Sequence, residues 1–202
     1  MHGLPGAGKS AFARRSSEIN QLAHIASDRI RYELFDDPRY TAAENRTVFR
    51  ICTYVTEISL GQSQPIIFDM NLPSQTMRKD MKRLAEKNGY NFLIVWVQTE
   101  KEEAQRRAIQ RDRRRPDDKY SVAMSRQLFE TLAGSSGRPD PDRESVVVIS
   151  GQQPFTQQQS QVEYKLHKMG FASMPDKEPR TRFPRVDYAR RKSTARQYER
   201  SK

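Results

Sequence analysis

The sequence predicts an α/β protein with a mostly parallel sheet, and three observations carry that expectation. Short apolar runs alternate with helix-like segments along most of its 202 residues. The longest run, Phe92-Leu93-Ile94-Val95-Trp96-Val97, is continuously hydrophobic, as a strand buried on both faces must be. Finally, Gly3-Leu4-Pro5-Gly6-Ala7-Gly8-Lys9-Ser10 fits the pattern G-x-x-x-x-G-K-[ST], a loop that joins a strand to a helix.

In that loop the glycines Gly3, Gly6 and Gly8 permit a tight turn, and the backbone N–H groups around Ala7 can surround phosphate oxygens. Lys9 can reach the outer phosphates of a nucleotide, and the Ser10 hydroxyl can ligate Mg²⁺. A helix starting near Lys9 points its positive end at the same place. The motif therefore predicts ATP and Mg²⁺ as ligands. Residues 9–20 are good helix formers, with Phe12, Ala13 and Ile19 available for a buried side.

Further along, residues 22–26 read as a buried strand, followed by a helix from Ser27 and Asp28 that turns Ile30, Leu34 and Phe35 inward. Thr41-Ala42-Ala43-Glu44 is a capping-box signature opening a long helix with Val48, Ile51, Val55 and Ile58 as its buried stripe. Gln64-Pro65 turns into the strand Ile66-Ile67-Phe68-Asp69, and Pro73-Ser74 caps a helix that Gly89 closes. After the strand at 92–97 comes a charged helix over 100–111, a polar loop, a helix over 122–132, the strand 146–149 and a Gln-rich helix over 156–169. Residues 1–170 form one expected domain. Residues 171–202 lack apolar periodicity and read as an extended or disordered basic tail, with ten Lys/Arg against four Asp/Glu from Asp176 onward.

The net charge of +11 suits a protein that handles polyanions, and equally a solvated, soluble one. The single cysteine, Cys52, excludes an internal disulfide and fits a reducing, cytoplasmic setting. It reads as a buried bystander. No apolar run has the length of a membrane span. Three scattered histidines offer no metal-site spacing, and His24 reads as a core residue. Tyr32, Phe35 and Tyr40 could stack on a base, but packing roles suit them as well. No N-K-x-D segment for guanine exists, and the length leaves no room for the helical domain of ring-forming ATPases.

Ligands in open parallel sheets sit at the carboxyl ends of the strands, where Asp28 with Arg31 and Asp69 with Asn71 are expected to meet the loop. Gly3–Ser10, Ser27-Asp28-Arg29-Ile30-Arg31, Phe68-Asp69-Met70-Asn71 and Arg107-x-x-x-Arg111 together resemble the P-loop kinases that include the phage-type polynucleotide 5′-kinase domain, the zeta-toxin kinases and small bacterial AAA-family ATP-binding proteins. The resemblance spans about residues 1–170. It implies a three-layer P-loop NTPase fold in which a buried strand precedes the loop. Only Met1 and His2 stand there, so that strand is expected to be truncated. The resemblance also implies Asp28 as general base, Arg31 on an acceptor-side phosphate, and Asp69 with Asn71 holding the acceptor. Arg107 and Arg111, four apart on one helix face, would clamp the donor phosphates beside a closing lid at 112–118. The implied function is γ-phosphate transfer from ATP to a hydroxyl, of a nucleic acid 5′-end or a small metabolite. A non-catalytic ATP-binding regulatory or nucleic-acid-binding protein is the alternative.

Overall fold

A computed structural model describes residues 1–112, 119–121 and 123–171; the basic tail from 172 and most of the expected lid lie outside the described residues. The elements in chain order are α1 (Lys9–Asn20), β1 (Ala23–Ala26), α2 (Ser27–Leu34), α3 (Ala42–Gly61), β2 (Ile66–Asp69), α4 (Gln75–Lys87), β3 (Ile94–Gln98), α5 (Lys101–Ile109), α6 (Arg126–Gly134), β4 (Val146–Ser150) and α7 (Phe155–Lys168).

β1 pairs with β2 in parallel, Ala23 opposite Ile66, and β3 with β4, Ile94 opposite Val146. Met1 and His2 join the two pairs. The Met1 nitrogen donates to the Phe68 carbonyl at 2.8 Å, the His2 N–H to Val95 at 2.9 Å, and the Val97 N–H to the His2 carbonyl at 2.9 Å. His2 thus bridges Trp96 in parallel where the central strand of this fold belongs. The spatial order is β1, β2, Met1–His2, β3, β4.

Helices cover both faces, giving the three layers. Phe12 of α1 and Val162 of α7 pack on Val95, Val97, Val147 and Ile149. Val48 and Cys52 of α3 and Met81 of α4 pack on Ile25 and Phe68. A third cluster joins Ala104 and Ala108 of α5 to Phe129 of α6.

The caps form where the side chains allow. Ser74 accepts from the Met77 N–H and Ser125 from the Leu128 N–H. Thr41 accepts from the Glu44 N–H at 3.2 Å, but Glu44 does not return the bond to Thr41. Its carboxylate reaches one and two residues further back, to the N–H groups of Tyr40 and Arg39. Four expected core residues face water. Ile19 is 50% exposed, and Leu34, at the last position of α2, 46%. On α3 the inward stripe is Val48, Cys52, Thr56 and Leu60, while Val55 and Ile58 are exposed. Two apolar stripes run side by side on that helix, and only the sheet decides which is covered.

Arg78 of α4 is buried and uses its whole guanidinium. It makes a bidentate pair with Glu144 at 2.7 and 3.0 Å and donates to the carbonyls of Leu72, Pro73, Gly137 and Arg138. One side chain therefore ties the turn after β2 to the segment leading into β4. Removing one partner of a buried pair strands the other. Arg78→Ala is expected to destabilise the protein by about 3–5 kcal/mol in urea unfolding. A loss under about 1 kcal/mol would show the pair to be ornamental.

Candidate active site

The phosphate loop is shaped by its neighbours as much as by its glycines. Gly3, Gly6 and Gly8 have φ of 139°, 76° and 103°. A Cβ on Gly3 would collide with the Val97 carbonyl, and one on Gly6 with that of Ala104. The loop is thus pressed against β3 and α5. Ala7 is fully buried, and its carbonyl accepts from the Thr99 hydroxyl at 3.0 Å. Gly151, after β4, abuts the same carbonyl so closely that no side chain fits. Gly8 caps α1 without a side chain, so the first-turn N–H groups have no side-chain cap and can take an anion.

Lys9 crosses the loop, its Nζ donating to the carbonyls of Gly3 at 2.9 Å and Leu4 at 2.8 Å. Burial lowers its pKa to about 8; Arg111 pushes the same way, and Asp69 and Asp28 oppose. Those four groups therefore share one electrostatic neighbourhood. Burial also raises the Asp28 carboxyl, against the pull of Arg111 and Lys9.

Asp69 ends β2 and is buried. His24 Nε2 lies 3.1 Å from its Oδ2, and the Ser27 hydroxyl donates to its backbone carbonyl. Burial alone would raise this carboxyl, but hydrogen bonds from His24 and Ser10 outweigh it and hold it below the ordinary range. Asp69 therefore stands against the loop serine. A hydroxyl beside an ionised carboxylate is a hard oxygen pair, which fits Mg²⁺ completed by phosphate oxygens and water. Among the described residues no cluster of three His, Cys, Asp or Glu offers another metal site. His24, expected as a core residue, is part-buried with its ring nitrogen against Asp69.

The other expected site residues have partners within the protein. Asn71 is engaged with the protein, accepting from the Gly3 N–H at 3.2 Å and donating to Ser136 at 3.3 Å. Arg31 is 4% exposed, bonded to Glu44 and Asn45, with its guanidinium 4.3 Å from the Tyr40 ring centre. Arg107 and Arg111 do not share a helix face, because α5 stops at Ile109. Arg107 donates to Glu103 at 2.6 Å and to the Gly151 carbonyl at 3.0 Å, while the charge of Arg111 is felt at Lys9 and Asp28. Thr99, Ser136 and Gly151 support the loop without a motif to announce them. Cys52 is fully buried, its thiol pushed up to about 12 by burial, which makes it unreactive.

A family model described as an AAA domain matches residues 1–133. The chain belongs to this AAA-domain family. Solved structures share the fold at low identity. A gluconokinase from Sinorhizobium meliloti 1021 is 16% identical, with a TM-score of 0.57 over 83% of this chain and 90% of that one. Chaetomium thermophilum Kti12, solved with ADP-AlF3, is 18% identical, with a TM-score of 0.60 over 84% and 95%. The Mycobacterium tuberculosis APS kinase CysC, solved with AMPPNP and APS, is 16% identical, with a TM-score of 0.56 over 82% and 94%. No curated protein matches by sequence. With the parallel sheet and two helical layers, these matches establish a three-layer P-loop NTPase fold for this family member.

A depressed lysine pKa makes phosphate binding sensitive to pH. Lys9 must be protonated to meet an anion, so nucleotide affinity is expected to fall as pH rises from 7 through about 8, as measured by calorimetry. The folding contribution has the opposite sign. Between about 8 and the ordinary 10.5 the unfolded chain binds more protons at Lys9, so this residue adds stability as pH rises through that window. Affinity that stays flat from pH 7 to 9 would exclude the buried state of Lys9.

Proposed function

We propose that this protein is a Mg·ATP-dependent kinase that transfers the γ-phosphate to a hydroxyl acceptor. The observation that carries the reading is the convergence of Lys9, Asp28, Asp69 and Arg111 on one neighbourhood beside the loop. A simple nucleotide-binding module needs the loop alone. A raised carboxylate beside two cations is what a hydroxyl donor requires.

The loop N–H groups and Lys9 hold the β- and γ-phosphates. Ser10 and Asp69 would hold Mg²⁺, which when bound neutralises phosphate charge and orients the nucleotide. Asp28 takes the proton of the acceptor hydroxyl as its oxygen bonds to the γ-phosphorus and the bond to the ADP oxygen breaks. Burial, by raising the Asp28 carboxyl, strengthens it as a base once ionised. Arg111 stabilises the charge on the moving phosphoryl group. Arg107, held by Gly151 next to the loop, lines the donor side. The neighbours whose names describe a gluconokinase and an APS kinase support a small-molecule acceptor. The basic charge and the polynucleotide-kinase pattern of motifs support a nucleic acid 5′-end.

Incubation with γ-labelled ATP and a panel of 5′-hydroxyl oligonucleotides, nucleosides and sugar acids tests the assignment. Asp28→Asn is expected to lower transfer by about 10²–10⁴-fold with nucleotide affinity intact. Lys9→Ala should weaken both binding and transfer, and Asp69→Asn should blunt the Mg²⁺ dependence of nucleotide binding. Transfer by Asp28→Asn at the wild-type rate would remove the general-base role. Tight nucleotide binding with no acceptor labelled would favour a non-catalytic ATP-binding protein.

A further inference from the structure

The cation one turn beyond Asp28, Arg31, is held within the protein by its terminal nitrogens, while its buried Nε has no hydrogen-bond partner. Its two terminal nitrogens bond Asn45 at 2.7 Å and Glu44 at 3.4 Å. The same Glu44 carboxylate holds the Arg39 and Tyr40 N–H groups, and Tyr40 has a left-handed φ of 55°. Pulling Arg31 out would leave a mostly buried carboxylate without its charge partner and release the turn that starts α3. Arg31 is a positioning residue that locks α2 onto α3.

A second set of cations stands at the same end of α2. Arg29, next to Asp28, is exposed, with its guanidinium 5.7 Å from the Tyr120 ring centre. Lys119, also exposed, has its Nζ 5.3 Å from the same ring. Tyr120 packs edge-on against Tyr32, ring centres 5.6 Å apart. Tyr32 is four residues beyond Asp28 and so lies on the same helix face, one turn away. The two tyrosine rings, inclined at 69° to each other, thus make a bent aromatic wall one helical turn from Asp28, with two exposed cations at the Tyr120 ring. The Arg111 charge at Asp28 closes the arrangement toward the loop.

Resting on the kinase reading, we propose that Arg29 and Lys119, mounted on the Tyr32–Tyr120 wall, form the subsite for an anionic group of the acceptor. The ligand class is a hydroxyl compound carrying a phosphate or a carboxylate, its carbon skeleton or ring lying on the tyrosines. A neutral polyol gains nothing from these cations.

Matched probes separate the sources: adenosine 3′-monophosphate against adenosine for a phosphate, and gluconate against glucose for a carboxylate. The wild type is expected to phosphorylate the charged member of at least one pair with the lower KM. The double variant Arg29→Ala/Lys119→Ala should raise that KM about tenfold or more, the size of a lost charged contact, while its melting temperature and nucleotide affinity hold. Arg31→Lys should keep the preference. Equal KM within both pairs, a preference surviving in the double variant, or a preference lost in folded Arg31→Lys would overturn the assignment. If no probe is phosphorylated, the kinase reading fails and calorimetry decides the subsite alone. Adenosine 3′-monophosphate binding to the Mg·ADP-loaded protein, lost in the double variant, supports it; no binding of either anion by the wild type overturns it.

Discussion

The buried carboxylate of Asp69 is the interaction on which the site depends. A carboxylate out of water is costly unless hydrogen bonds replace its hydration. Here the replacements come from three directions: His24 on the neighbouring strand, Ser10 at the start of α1, and the general field of Lys9. Ser27 holds the same residue through its carbonyl. Keeping Asp69 ionised therefore fixes the register of β1 against β2 and the approach of α1 to both. The arrangement also leaves a negative oxygen beside the serine hydroxyl, which a divalent cation can exploit.

Around that point the structure uses contacts at close range where a longer loop would have used flexibility. Gly6 against Ala104, Gly3 against Val97 and Gly151 against Ala7 leave the phosphate loop no space to collapse into. Lys9 rests on the loop's own carbonyls, so its ammonium keeps partners before any phosphate arrives. Such preorganisation lowers the reorganisation needed on binding. Arg78 extends it outward. By gripping carbonyls on both sides of the sheet's carboxyl edge, it holds Leu72 and Pro73 next to Asn71, and Asn71 in turn holds Gly3.

Much of this was legible in the residues. The loop motif, the strand ends carrying Asp28 and Asp69, and the alternation of elements follow from local rules, because glycine spacing, apolar runs and caps act within a few residues. What the sequence concealed depends on which face turns inward or on partners far along the chain. Arg31 reads as a ligand-binding cation until Glu44 and Asn45, from the next helix, are seen to hold it. His24 reads as core until it meets Asp69 across the sheet. On α3 the stripe through Val55 and Ile58 is as apolar as the one that is buried. The kinase resemblance and a spacing of four pair Arg107 with Arg111, and the end of α5 at Ile109 separates them.

The two halves of the sheet divide the chemistry between them. Asp28 lies just after β1 and Asp69 ends β2; Thr99 follows β3 and Gly151 follows β4, and the loop and Arg107 rest against these last two. Between the halves the described backbone connects through Met1 and His2, with three hydrogen bonds, and through the Gly137 N–H, which donates to the Pro73 carbonyl at 2.9 Å. Asn71 adds a side-chain crossing, from Gly3 to Ser136. In the proposed mechanism the distance between Asp28 and the donor is set at a seam crossed by few backbone hydrogen bonds, spanned by Arg78 with its grip on Glu144 and by α1, which contacts β1 and β2 on one side and α7 on the other. In-line transfer tolerates little misplacement of acceptor and donor. Ser136→Ala, which leaves the Asn71 bond to the Gly3 N–H in place, should therefore lower the rate of transfer more than the affinity for nucleotide, as read by kcat against calorimetric nucleotide binding.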